Sequence, residues 1–133
     1  MTTPETIYDR KDQLQQVQSA LLPGERLYAV YDAKGVGTGY IALTDRRLII
    51  ADKSFIGRAV ALVSMPYRSV SSVAVVSNAR FTGNFFSTCA IIVTSAGGVH
   101  HEIEFRGEDK ARHAHDFILA SMLQVRRPTG SDR

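Results

Sequence analysis

Four histidines, a single cysteine and two short arginine pairs are the residues of this chain whose chemistry could make a site. Cys89 sits inside the apolar run "TCAIIVTS", where a small core residue is the simpler reading and a nucleophile would need an activating base. No G-x-S-x-G turn occurs, and no serine, histidine and carboxylate gather at positions that suggest a triad. His100, Glu102 and Glu104 alternate along one stretch and would share the outer face of a strand. A metal site there is conceivable, yet no fourth ligand suggests itself and exposed alternation accounts for the same residues. His113 and His115 stand two apart on a helical stretch, about 200° around its axis, so they cannot clasp one ion. The expectation is no enzyme, no cofactor and no metal centre.

Two further stretches invite a binding role. "GVGTG" has the look of a dinucleotide loop, but Tyr40 occupies the place of the third glycine and no helix follows, so a glycine-rich hairpin explains it better. "TDRRLII" (44–50) sets Arg46 and Arg47 between a turn signal and an apolar run. Thr44-Asp45 suits a tight turn, and the two arginines would then emerge on opposite faces of the next strand. Asp45, Asp52 and Asp32 are the carboxylates expected to meet them at the rim.

The elements that must position these residues read clearly. Thr3 caps and Pro4 opens an expected first helix, with Ile7, Leu14, Val17 and Leu21 at helical spacing, ending at Pro23-Gly24. Such a narrow stripe needs a surface to lie on. Seven strands follow at 26–32, 38–43, 47–52, 59–65, 69–76, 88–95 and 99–105, the last two joined by Ala96-Gly97-Gly98. The seventh alternates, with Val99, His101, Ile103 and Phe105 inward. The fourth and sixth are apolar on both sides and ask for cover from the first helix or from another copy. A last helix begins near Gly107 and carries the stripe Ala111, Ala114, Ile118, Met122 and Val125, with Phe117 and Leu123 off it.

Bulk properties bound the rest. A chain of 133 residues with 44% hydrophobic and 22% charged residues makes one ordinary globular core. A net charge of +3 with scattered cations excludes a nucleic-acid binder of the usual kind. One cysteine, no apolar leader in the opening residues and no apolar run long enough for a membrane span point to a cytoplasmic protein.

This order of elements is similar to the pleckstrin-homology (PH) superfold. "LLPGERL", a glycine-rich turn, "GYIALTDRRLIIAD", a basic turn and "VSMPYRSVSSVAV" resemble the bacterial PH-like and GRAM-like domains over about residues 21–123. The resemblance implies a mainly β protein with helices (α+β): a seven-stranded antiparallel barrel closed by the C-terminal helix. The expected divisions are an added N-terminal helix over 1–22, the PH-like domain over 23–125 and a disordered tail over 126–133.

The resemblance also implies an interaction or assembly module that self-associates, since bacterial PH-like domains are often oligomeric. Phe81, Phe85 and Phe86 in the long connection "SNARFTGNFFS", with Phe117, Leu123 and Leu14, are the candidate contacts with a protein partner or second copy. Inositol phosphate recognition would need K-x(n)-[KR]-x-R across the first two strands. Lys34 stands alone there, and "TGYIAL" has no basic residue. Lys34, Arg46, Arg47, Lys53 and Arg58 remain as a diffuse basic rim for weak contact with anionic lipid, at roughly 1 kcal/mol each.

Overall fold

The structure is a computed structural model that describes residues 5–34, 38–53, 60–77 and 89–126. Alternating and doubly apolar runs form two sheets. The first has the order β1 (Ile7–Tyr8), β2 (Leu27–Asp32), β3 (Thr38–Thr44), β4 (Arg47–Asp52) and β5 (Ala61–Pro66). The second contains β6 (Val70–Ser77), β7 (Cys89–Ser95) and β8 (His100–Phe105). Neighbours are antiparallel throughout, except that β1 runs parallel to β2. The seven expected strands are present, with β1 added.

The expected closed barrel is corrected to two sheets. Among the described residues a single bridge joins β2's end to β8, where the Lys34 amide donates to the Glu104 carbonyl at 2.8 Å. A one-residue turn of the pattern decides which layer each side chain enters. Ala29, Tyr31, Ile41, Leu43, Leu48 and Ile50 face inward and meet Ile91, Val93, Ile103 and Phe105 of the second sheet. Helix α2 (Glu108–Arg126) closes this core with Ala111, Ala114, Ile118 and Met122, four of the five stripe residues named from sequence.

The alternate residues of the first sheet face outward and build a second, smaller core. Val30, Tyr40, Ala42, Ile49 and Ala51 are covered there by helix α1 (Lys11–Ala20) through Val17, with Leu14 and Leu21 packed alongside. The helix therefore covers β2, β3 and β4, not the strands expected to need it. Those two differ in fate: Leu62 of β5 is exposed, while Ile92 of β7 is half-buried.

α1 also begins later than its sequence suggests. Thr3 and Pro4, the expected cap, lie outside the described residues, and Arg10 occupies the cap position without a side-chain hydrogen bond. Ile7 is extended, not helical. Tertiary hydrogen bonds hold the segment that way: Thr6 Oγ1 donates to the Leu27 carbonyl at 2.9 Å, and the Asp9 amide to the Val30 carbonyl at 3.1 Å. A single turn of helix lost there costs little, because a lone short helix is marginal.

The punctuation behaves as its chemistry requires. Gly24 at φ +80 carries the Pro23-Gly24 turn, and Gly98 at φ +87 the β7–β8 hairpin, both in the left-handed region.

Candidate functional site

The arginine pair resolves into one half-buried, paired residue and one rim residue. Arg47 Nε and Nη2 donate to Glu25 Oε2 and Oε1, each at 2.8 Å, a two-pronged pair. Its remaining donors reach Ser64 Oγ at 2.7 Å and the Ala20 carbonyl at 3.0 Å. Thr44 Oγ1 donates to Glu25 Oε2 at 2.7 Å and accepts the amides of Arg46 and Arg47. The Leu22 amide donates to Glu25 Oε1 at 2.9 Å. The Arg47 guanidinium holds the Glu25 carboxyl down to about 2, against burial, which pushes it up; the Leu22 amide and Thr44 hydroxyl assist. This knot ties the α1 end, the Pro-Gly turn, the β3–β4 hairpin and β5 together.

Glu25 is thus the partner of Arg47, in place of the Asp45, Asp52 or Asp32 expected from sequence. Asp45 instead accepts the Arg26 amide at 2.9 Å. Arg46 stays at the surface, with Nη1 3.4 Å from the Pro23 carbonyl.

The other candidate residues fall in separate places. Arg46 and Arg47 open β4 while Lys53 follows its end, so about 17 Å of strand divides them. Lys34 belongs to the Lys53 end, because Thr38 and Asp52 are paired there. Arg58 lies outside the described residues, as do Phe81, Phe85 and Phe86. Among the described residues the basic rim is therefore two ends, Lys34 with Lys53 at one and Arg46 at the other, where Arg26 and Arg68 are also exposed.

Of the apolar candidates, Leu14 of α1 is half-buried against the outer core, and Phe117 packs against Tyr28 and Tyr67 with ring centroids at 5.2 and 6.3 Å. Leu123 differs. It is 63% exposed, and Leu119 one turn earlier is 37% exposed on the same side of α2.

Among the described residues the chemically capable groups named from sequence lie apart. Burial pushes the Cys89 thiol up, away from thiolate chemistry. Tyr31 Oη lies 2.7 Å from His113 Nδ1, with the rings edge to face, a joint between β2 and α2. Desolvation pushes the Tyr31 phenol up, with Asp9 and Asp109 adding to it, so it is a poor nucleophile. His100 Nδ1 is 2.9 Å from Thr94 Oγ1, and among the described residues no cluster of three metal-ligating side chains occurs. Two clefts flank α1, of about 240 and 210 Å³. Both are below the size usual for a small-molecule site.

The family model described as "Bacterial PH domain" matches residues 23–120. The chain belongs to the bacterial PH domain family. A crystal structure of a pleckstrin homology domain from Shewanella amazonensis SB2B shares the fold, with a TM-score of 0.63 at 23% identity. The alignment covers 86% of this chain and 99% of that one. None of the curated proteins compared with the chain matches it.

As a bacterial PH domain the chain is an interaction or binding module in the general sense of that fold. The match begins at the Pro23-Gly24 turn, so β1 and α1 precede it. Glu25 is the residue that sequence reasoning missed. The signal available was the "PGE" triplet itself, an acid fixed to a turn two strands ahead of the arginines. Among the described residues no helix is long and apolar enough to cross a membrane.

Proposed function

We propose that this bacterial PH domain is a non-enzymatic assembly module that binds a second copy of itself. The exposed pair Leu119 and Leu123 carries the reading. Ala120 is exposed beside them, so the outer side of the last turns of α2 presents an apolar strip where a solvated helix would carry charge. Phe81, Phe85 and Phe86 remain candidate contacts from their sequence alone.

Static light scattering on the full chain tests it. The expected mass exceeds the 14.6 kDa of one chain, and Leu123→Asp lowers it. A single-chain mass at all concentrations overturns the proposal.

Weak peripheral binding of anionic lipid is the second reading. Lys34 with Lys53 at one end, and Arg46 with the exposed Arg26 and Arg68 at the other, support only small increments, roughly 1 kcal/mol per residue near an anionic surface. A membrane touched by one end gains nothing from the other, which ranks this reading below assembly.

A further inference from the structure

The arginines of this chain divide by position. Arg10, Arg47, Arg106 and Arg112 each hold a side-chain nitrogen between 2.8 and 3.4 Å from a carboxylate oxygen. Arg26, Arg46 and Arg68 are exposed, and among the described residues no carboxylate pairs with their side chains. All three stand at the β3–β4 hairpin end of the first sheet. The amide and carbonyl of Arg26 both bond to Asp45, the residue before Arg46. Arg68 follows the point where β5 ends, with Pro66 paired to Arg47. Tyr67 fastens that corner by donating from Oη to the Thr44 carbonyl at 2.8 Å.

Two of these guanidinium groups are held in place without a counterion. Arg26 Cζ lies 5.4 Å from the centre of the Tyr28 ring. Arg46 lies across the Pro-Gly turn, its Nη2 3.3 Å from where a Gly24 Cβ would stand. Side chains restrained in this way lose less freedom on meeting a partner, and their planar forks match carboxylates. Asp45 offsets one of the charges, but its Oδ1 is already engaged by the Arg26 amide. Glu25 offsets none, because Arg47 neutralises it.

The shape of this end selects among anions. Strand order sets the three arginines in a row from β2 to β5, three strand spacings or about 14 Å. A lone phosphate cannot span that row, whereas an extended segment of about five residues can. Next to Arg26 opens the cleft of about 240 Å³, lined also by Leu21, Leu27 and Tyr28. It has room for one apolar side chain, and a flat bilayer does not enter it.

We propose that the hairpin end of the first sheet binds an extended acidic segment of a partner protein. Its carboxylates meet Arg26, Arg46 and Arg68, and one apolar side chain fills the cleft beside the end of α1. These residues differ from the Leu119 and Leu123 strip, so this surface stands or falls independently of self-association.

Fluorescence anisotropy on the full chain at physiological salt tests it, with a labelled glutamate-rich peptide carrying one leucine and with its glutamine counterpart. The acidic peptide is expected to bind about tenfold more tightly than the neutral one. Arg26→Gln, Arg46→Gln and Arg68→Gln together should remove that preference, while Lys34→Gln with Lys53→Gln should leave it. Replacing the same three arginines by lysine keeps the net charge of +3 but should weaken binding several-fold, since the forks are lost. If the triple variants do not melt cooperatively, the single substitutions, each about two- to fivefold weaker, give the same reading. Equal binding of the two peptides, equal loss in the lysine-to-glutamine chain, or full binding by the arginine-to-lysine chain overturns the proposal. Phosphatidylserine vesicles are run in parallel. Adsorption at physiological salt that needs the three arginines, with no preference for the acidic peptide, assigns this end to lipid and rejects a protein partner.

Discussion

Glu25 and Arg47 show how a site-like residue pair becomes a structural one. The Glu25 side chain has no exposed surface and that of Arg47 only 15%, so removing either partner strands a buried charge. Arg47→Met is expected to cost about 3–5 kcal/mol in urea unfolding, while Arg46→Ala next to it stays within about 0.5 kcal/mol. Equal effects at the two positions would contradict this division. The pair also sets an acid limit. Folding lowers the Glu25 carboxyl from 4.5 to about 2, so its contribution is complete above pH 4.5 and fades as the pH falls toward 2. At full strength that difference is roughly 3 kcal/mol. Glu25→Gln should flatten the stability profile across that acid window, and an unchanged slope would show that other carboxylates dominate it. The hairpin containing these arginines was legible in "TDRRLII", because turn chemistry is local. The partner was not, because Glu25 stands 22 residues from Arg47 and only the packing of the Pro-Gly turn against β4 brings it there.

The two helices differ in what holds them, and their core residues should report that difference. Ile118 of α2 is fully buried in the main core, while Val17 of α1 is fully buried in the small outer one. Ile118→Ala is expected to destabilise the whole fold by about 2–5 kcal/mol. Val17→Asp should instead release α1 alone, seen as lost amide protection in residues 11–20 while β7 and β8 keep theirs. Loss of protection in both sheets would show that α1 is integral to the fold. Strands and α2 were readable because their periods, two and 3.6, appear directly in the residue order. Neither β1 nor the start of α1 was, since Ile7 fits a helical stripe and only Val30 and Leu27 in space draw that segment out straight. The choice of covered face was written more faintly. "YIAL" and "LIIA" in β3 and β4 are apolar at consecutive positions, the mark of strands buried on both sides.

At the scale of the whole molecule, the strand direction separates charges that the sequence seems to gather. β4 runs from Arg47 to Asp52, and with it the basic residues divide between two ends of the first sheet. Arg47 is further withdrawn by its pairing with Glu25. Each end then offers a planar anionic surface only its own share of the described cations, and ions at physiological salt screen their attraction over about 8 Å. The chain is therefore expected to co-sediment with phosphatidylserine vesicles at low salt only. Arg46→Ala and Lys53→Ala should not weaken that adsorption equally, since one membrane contacts one end. Binding that persists at physiological salt, lost equally in both variants, would require a surface spanning the two ends and would place lipid ahead of assembly. Loss in one variant alone, at low salt alone, assigns the adsorption to that variant's end of the sheet and keeps it a weak, screened attraction.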